Sequence, residues 1–360
     1  MFVVAACGAG ASPSPSSESP SAAATSAAAS PSSSVATSAT PLPSGVAFDL
    51  PPAETTDLTI GLSNNLAANQ FVDVLAQEMG IFEKYGLNVK VVSFEGDGKL
   101  VQALVAGQLQ GGEGSGGPVI SAAVTDTPLQ VVTVNATSLP YDLLGAKDIK
   151  TAADLKGKQV AISSFGSTAH AVVLAALDQL GLQASDVTLQ QVGSESTRIA
   201  AVLAGSVAAA PVTTINSQKA IDQGLNALVD LTQHPVLYDT AGLNVRKDWA
   251  AKNPNTILRL IAALTEAQKV VFTDPDLATQ KYMEFTQLDH DTSAAAIAAC
   301  ADGSACNKGF TFSADNLVLP KQVTLTVNPA VKDVDPASVI DTSYLQKLKD
   351  LGFNAAIAYP

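Results

Sequence analysis

The sequence predicts an α/β fold with two similar lobes, and three observations support this. Short apolar runs typical of strands alternate with longer segments of helical periodicity. The alternation occurs in two consecutive runs, which begin near Leu58 and Lys158. A near-repeat, ALVAG at 103–107 and AVLAG at 201–205, occupies the same place in both runs. Strands and helices at this spacing favour βαβ units and largely parallel sheets.

The first run predicts a strand at 58–62 and a helix over 71–79. The turn GIFEKYG follows, and then a strand at 87–94 and a helix at 99–106 that Gly107 ends. The spacing matches a βαβα unit.

The second run predicts a strand at 158–163, a helix opened by GSTAH, a strand at 187–192 and a helix at 196–204. Beyond Lys247 the chain is expected to be mainly helical. The predicted helices are 257–272, 276–285 and 343–351, with a break at Asp274-Pro275.

Composition and charge exclude several functions. The 360 residues are 47% hydrophobic and 15% charged, which suits a folded core and two domains. The net charge of −13 disfavours nucleic acid and polybasic docking to anionic lipid. No apolar run reaches the roughly eighteen residues of a membrane-spanning helix.

The N-terminus predicts a lipid anchor. Cys7 follows Val4-Ala5-Ala6, which resembles the lipobox of bacterial lipoproteins and implies that Cys7 is lipidated after a signal peptide is removed. Because only six residues precede Cys7, we expect the true start codon to lie upstream of Met1. Residues 8–53 are mostly Ser, Ala, Pro and Thr and are expected to form an extended, disordered tether.

Cys300 and Cys306 remain as an even pair once Cys7 is lipidated. An exported compartment would allow them to oxidise, so a disulfide is expected. The alternative is two unrelated cysteines, one at a helix end and one in a loop.

A family resemblance rests on several strings in a fixed order. These are GIFEKYGLNVKVV, LVAGQLQ, DLKGKQVAISSFGSTAH and LAGSVAAAPV. Together they resemble the importer-binding proteins for sulfonates, taurine, nitrate and thiamine-pyrimidine precursors, over about residues 57–350. Two positions depart from that family, which often carries Asp where this chain has Gln110 and Ala208.

The resemblance implies a type II periplasmic-binding-protein fold, two α/β lobes with a ligand cleft between them. Residues 1–7 are then a residual signal segment with the lipobox, 54–138 and 243–360 form lobe 1, and 139–242 form lobe 2. The hinge is expected near 137–146 and 239–246.

The implied function is capture of a small organic molecule or anion and its delivery to an ABC permease with its ATPase. The expected form is a monomer outside the cytoplasm, held to the membrane only through lipidated Cys7. No cofactor, metal or nucleic acid is expected.

The ligand-binding residues are predicted at the carboxyl ends of strands, where helices begin with unpaired N–H groups. Four loops have that position, and their candidate residues are Ser63, Asn64, Asn65, Ser115, Gly116, Gly166, Ser167, Thr168, Thr213 and Thr214. Ordinary helix capping would explain any one of these hydroxyl groups.

Two aromatic residues, Tyr141 and Phe165, are placed nearest the cleft, where they could stack on a flat ligand or line an apolar pocket. Phe165 could equally be a core residue. Arg198 is the least unsuitable of three arginines for an anionic ligand, but a solvated helix face is favoured for it. Without a convincing arginine, a neutral or weakly anionic ligand becomes more credible.

Other motifs do not support a different function. GxGxxG at 112–117 lacks the acidic residue expected about twenty positions on in a dinucleotide site. The three histidines have no metal-ligand spacing, and Asp289 and Asp291 flank His290 in what is expected to be a solvated loop.

Two alternatives stay open from the sequence. Fungal pyrimidine-precursor synthases share the likeness but carry clustered cysteines near an active-site histidine, which this chain lacks. A sensor that reports solute to a partner protein is the other alternative.

Overall fold

The structure, a computed structural model, describes residues 48–233 and 237–360. Cys7 and residues 8–47 of the expected tether lie outside these described residues, as do residues 234–236.

The first sheet has five strands and defines lobe 1. Numbered in chain order, they are β1 (Asp57–Leu62), β2 (Asn88–Ser93), β3 (Gly111–Gly114), β4 (Leu129–Val131) and β10 (Gly242–Arg246). Their order across the sheet is β2-β1-β3-β10-β4. β1, β2 and β3 are parallel, whereas β10 is antiparallel to both of its neighbours.

The second sheet defines lobe 2 and repeats this arrangement. Its strands are β5 (Tyr141–Gly145), β6 (Gln159–Ile162), β7 (Thr188–Gln191), β8 (Ala209–Thr213) and β9 (Asn226–Asp230). Their order is β7-β6-β8-β5-β9, with β5 antiparallel to β8 and β9. In each sheet the fourth strand is the one that enters from the other lobe. It runs antiparallel to both of its neighbours.

Helices cover both sheets. They are α1 (Phe71–Glu78), α2 (Ile81–Lys84), α3 (Asp97–Val105), α4 (Gly116–Ala122), α5 (Ala152–Leu155), α6 (Thr168–Gln179), α7 (Glu195–Leu203), α8 (Thr214–Asp222), α9 (Lys247–Ala250), α10 (Pro254–Thr273), α11 (Pro275–Thr286), α12 (His290–Ala301), α13 (Val318–Leu325), α14 (Ser343–Asp350) and α15 (Phe353–Ala356). Every helix named in the sequence analysis is present, within a few residues of its predicted bounds.

The near-repeat has a structural explanation. Gly107 and Gly205 follow α3 and α7 in the left-handed conformation, with φ of 74° and 71°. Glycine adopts this conformation without the steric cost that other residues incur. Equivalent helices in the two lobes therefore end in the same way.

One predicted loop is wrong. The segment around His290 begins helix α12, and the Asp289 side chain caps it by accepting from the N–H of Thr292 at 2.9 Å. Asp289 is therefore an exposed capping residue at the start of a helix rather than part of a loop.

The chain passes between the lobes twice, and the two passages pair with each other. Ala136 and Ala241 form an antiparallel bridge, and the N–H of Tyr238 donates to the carbonyl of Thr137 at 2.9 Å. The paired residues are 136–137 and 238–241, and regular strands begin soon after them, at Tyr141 and Gly242. The predicted hinge segments, 137–146 and 239–246, therefore begin in this passage and extend into the strands.

The last residues of the expected tether belong to lobe 1. Leu50 is 3% exposed, and the Arg259 Nε donates to the carbonyl of Pro51 at 2.6 Å. Phe48 packs edge-on against Phe353 with ring centroids 5.1 Å apart. The tether prediction is wrong for residues 48–53 because these two apolar side chains provide surface to bury.

Helix α13 contacts both lobes, although its whole segment was assigned to lobe 1. Val323 packs in the core of lobe 2, while the Thr324 hydroxyl donates to the carbonyl of Gly117 in lobe 1 at 3.2 Å.

Cys300 and Cys306 form a disulfide in the structure, with Cα atoms 4.5 Å apart. It joins the end of α12 to the following loop, and both residues are buried in the core of lobe 1. Within the described residues, none of the helices has the length and apolarity needed to span a bilayer.

Candidate functional site

A polar cavity of about 60 Å³ lies between the lobes. Its wall comes from the carboxyl ends of strands in both sheets, as expected for ligand sites in parallel sheets. Lobe 1 contributes Ser63, Asn64, Asn65, Ala67, Asn69, Gln70, Phe94, Gly96 and Asp97. Lobe 2 contributes Tyr141, Ser163, Thr168, Ala169, Ser194, Glu195 and Arg198, and Thr240 lies on the passage between them.

The loop after β1 is held in shape by its own side chains. The Ser63 hydroxyl accepts from Gln70 Nε2 at 3.1 Å, and Gln70 Oε1 accepts from the N–H of Asn64 at 3.1 Å. Asn64 Oδ1 accepts from the N–H of Leu66 at 3.0 Å, a local turn that asparagine favours. The loop is therefore preorganised at the cavity wall.

Asp97 projects from the first turn of α3. Its carboxylate accepts two hydrogen bonds from Ser115, 2.9 Å from the hydroxyl and 3.3 Å from the backbone N–H. Asp97 is buried, and its place at a helix N-terminus favours a negative charge.

The N-terminus of α6 faces the cavity from lobe 2. Ser167 caps this helix by accepting from the N–H of His170 at 3.4 Å. The N–H groups of Thr168 and Ala169, both lining the cavity, have no acceptor among the described residues. They can donate to an anionic or carbonyl-like group of a ligand.

Glu195 and Arg198 form a buried pair on the same wall. Glu195 Oε2 lies 3.9 Å from Arg198 Nη2 and accepts from the N–H of Thr213 at 3.0 Å. Arg198 also donates to the carbonyls of Gly193 and Pro211, at 2.7 and 3.2 Å. Arg198 is 4% exposed, so the solvated-face interpretation is wrong.

Tyr141 opens β5 and is buried against the cavity. Burial and the negative charge of Glu195 raise the pKa of its hydroxyl, so Tyr141 is a neutral donor at pH 7. His170 lies beside this wall, where burial lowers its pKa to about 4 and keeps the imidazole uncharged at pH 7.

A second cavity of about 410 Å³ shares Ala67, Asn69 and Tyr141 with the first. The predicted residues Thr213 and Thr214 line this second cavity rather than the first. Much of its remaining wall is apolar, including Leu139, Pro140 and Ile215.

Five predicted site residues line neither cavity: Ser115, Gly116, Phe165, Gly166 and Ser167. Ser115 and Ser167 support the wall through their bonds to Asp97 and His170. Phe165 is 44% exposed and packs edge-on against His170, with ring centroids 5.6 Å apart, so its predicted place at the ligand is not what the structure shows.

Four residues that line the cavity are not among the predicted site residues: Gly96 and Asp97 after β2, and Ser194 and Glu195 after β7. The rule about carboxyl strand ends applies equally to these two loops. Applying it to every parallel strand would have found them.

No group of three or more His, Cys, Asp or Glu side chains within the described ranges could hold a metal ion.

Residues 68–278 match the protein family described as NMT1/THI5 like. The chain belongs to this family. The taurine-binding periplasmic protein of Escherichia coli (strain K12) is 27% identical over 292 residues, which are 79% of this chain and 84% of that protein.

Solved structures show the same fold. The periplasmic aliphatic sulphonate binding protein of Escherichia coli has a TM-score of 0.61 at 25% identity, covering 79% of this chain and 97% of that one. The periplasmic nitrate-binding protein of Synechocystis PCC 6803 has a TM-score of 0.68 at 17% identity, covering 86% and 92%. The predicted fold, two α/β lobes of the periplasmic-binding-protein type, is confirmed, and these three relatives are binding proteins.

Proposed function

We propose that this chain is the extracytoplasmic solute-binding component of an ABC importer. The observation that carries the proposal is the polar cavity whose wall is divided between two lobes, which are joined by a pair of passages. A solute that contacts both walls stabilises the closed arrangement, because an open one would lose half of those contacts.

The site residues follow from this. Ser63, Asn64, Asn65, Tyr141 and Thr168, all predicted from the sequence, line the cavity and are proposed to contact the solute. Asp97 and the N–H groups of Thr168 and Ala169 join them. Thr213 and Thr214 are proposed to contact only a solute that extends into the second cavity.

The proposed setting is the outer face of the cell membrane. Lipidated Cys7 and the following Ser/Ala/Pro-rich segment would hold a monomer there, and the closed form would deliver its solute to a permease coupled to an ATPase. The relatives with periplasmic names support an extracytoplasmic location.

A binding role is favoured over an enzymatic one. Cys300 and Cys306 are joined in a disulfide in the core of lobe 1, so neither is a free nucleophile. Of the charged cavity side chains, Glu195 and Arg198 are already engaged by protein donors and acceptors.

The test is thermal unfolding of the full chain with Cys7→Ser, which prevents lipidation. The panel contains alkanesulfonates, taurine, nitrate, bicarbonate and aminopyrimidines. A compound at a hundred times its dissociation constant should stabilise the protein by about 2.7 kcal/mol. A saturable shift supports the receptor. Cooperative unfolding that neither the panel nor a metabolite extract shifts would contradict it.

A further inference from the structure

The cavity has an uncompensated negative charge on its lobe 1 wall. Among the described residues that line it, the charged side chains are Asp97, Glu195 and Arg198. Glu195 and Arg198 offset each other at 3.9 Å. Asp97 forms no ion pair with any cation in the described part of the chain.

The hydrogen bonds of Asp97 leave it able to bind a ligand. Its two carboxylate oxygens accept one bond each, both from Ser115. An ionised carboxylate has about four acceptor positions. Asp97 therefore keeps acceptor capacity on a side chain that lines the cavity.

Asp239, a neighbour of Asp97 that lines neither cavity, also has no cationic partner among the described residues. Asp239 is fully buried, and neither of its carboxylate oxygens has a hydrogen-bond partner. The negative charge of Asp97 raises its pKa further beyond the effect of burial. A raised pKa favours the uncharged form of Asp239, so the negative charge on this side of the cavity is that of Asp97.

The opposite wall has the opposite polarity. The unpaired N–H groups of Thr168 and Ala169 lie at the positive end of the α6 dipole. A bound solute therefore meets a carboxylate on lobe 1 and hydrogen-bond donors on lobe 2.

We infer that the solute carries a protonated nitrogen that binds the Asp97 carboxylate, with an anionic or acceptor group at the N-terminus of α6. This inference rests on the proposed function. A simple anion would approach the buried Asp97 carboxylate, which has no cationic partner among the described residues, and this is unfavourable. A solute with an ammonium at one end and an anionic or acceptor group at the other meets complementary charge on both lobes. Its contacts with both lobes would stabilise the closed arrangement.

The test compares pairs of compounds that differ in one group. Taurine is paired with isethionate, and β-alanine with 3-hydroxypropanoate, because each second member replaces the ammonium with a hydroxyl group. Nitrate serves as an anion without nitrogen-bound protons. By calorimetry with millimolar ligand, an amine member should bind the Cys7→Ser protein at least tenfold more tightly than its hydroxyl partner.

Asp97→Asn should abolish that preference, because it removes the charge and keeps the shape. Asp97→Ser provides a second variant in case the amide disturbs the Ser115 contacts, since serine suits a helix start. Asp126→Asn, an exposed acid of lobe 1 away from both cavities, is the matched control and should keep the preference.

Each outcome decides the inference. Equal or tighter binding of the hydroxyl compounds or nitrate would overturn it and leave the receptor function standing. An amine preference that survives in both Asp97 variants would also overturn it and leave Asp97 a purely structural role. If neither taurine nor β-alanine binds, the inference is overturned as well. If a metabolite extract also fails to stabilise the protein, that result counts against the receptor function itself.

Discussion

At the scale of single residues, Arg198 shows that a side chain can line a cavity without having its hydrogen-bond donors free for a ligand. Its guanidinium lies on the wall, yet its hydrogen bonds go to the carbonyls of Gly193 and Pro211. Glu195 is similarly occupied by Thr213 and by Asn216, whose Nδ2 donates at 2.7 Å. The pair holds the start of α7 against the end of β8, and its main role is to shape the wall.

Arg198→Met should therefore reduce stability. The substitution leaves Glu195 buried without its counter-charge and two carbonyls without donors, so the free energy of unfolding should fall by about 3 kcal/mol. Urea denaturation of the unliganded protein measures this. Arg246→Met is the control, because it removes an ion pair whose other member, Asp248, is largely exposed. Its free energy of unfolding should fall by less than about 1 kcal/mol. Equal losses in the two variants would show that the Arg198 pair is not structural.

At the scale of elements, the two lobes meet where helices begin. A methyl group on Gly117, in the first turn of α4, would overlap the backbone carbonyl oxygen of Gly166, just before α6. Gly98 in α3 also faces lobe 2, but a methyl there would lie 3.5 Å from the Ser164 side chain, an ordinary contact. Close approach of the lobes thus requires glycine at position 117, whereas position 98 could accommodate alanine.

Gly117→Ala should weaken solute binding while the protein stays folded. The added methyl opposes closure, and alanine is a better helix former than glycine by about 1 kcal/mol, so the open protein keeps its stability. We expect the dissociation constant of the best compound in the panel to rise at least tenfold, measured by calorimetry. Gly98→Ala is the matched control and should bind within about twofold of the parent protein. Parental affinity in Gly117→Ala would mean that the lobes bind solute without this contact.

At the scale of the whole molecule, much of the fold could be predicted from the sequence because it is locally encoded. The helices and parallel strands follow from periodicity, and the loops after β1, β3, β6 and β8 follow from the strand ends. The antiparallel places of β5 and β10 could not be predicted, since pairing there depends on where the chain returns from the other lobe. The burial of Arg198 and the exposure of Phe165 likewise depend on which face of a segment meets its sheet.

Lobe 1 also contains a group of buried acids that influences the stability of the whole protein. Asp73, Glu113 and Asp239 are fully buried and form no ion pair within the described residues. Burial raises the pKa of Asp73 from 3.8 to about 8, and burial together with the charges of Asp73 and Asp239 raises the pKa of Glu113. The Asn135 amide donates to Glu113 at 2.8 Å, which offsets only part of this effect.

The buried acids should consequently contribute less stability as pH rises from about 4 to about 8. His170, whose pKa burial lowers to about 4, acts in the opposite direction over the lower part of this interval. An acid whose pKa is raised by folding binds more protons in the folded state across that interval, so the free energy of unfolding falls with increasing pH. Urea denaturation at several pH values should show that the parent protein loses at least about 2 kcal/mol more across the interval than Asp73→Asn does. Asp73→Asn cannot ionise and should flatten the dependence, whereas the exposed Asp126→Asn should leave it unchanged. A slope that Asp73→Asn does not alter would contradict the raised pKa of Asp73 and show that folding does not disfavour its charged form.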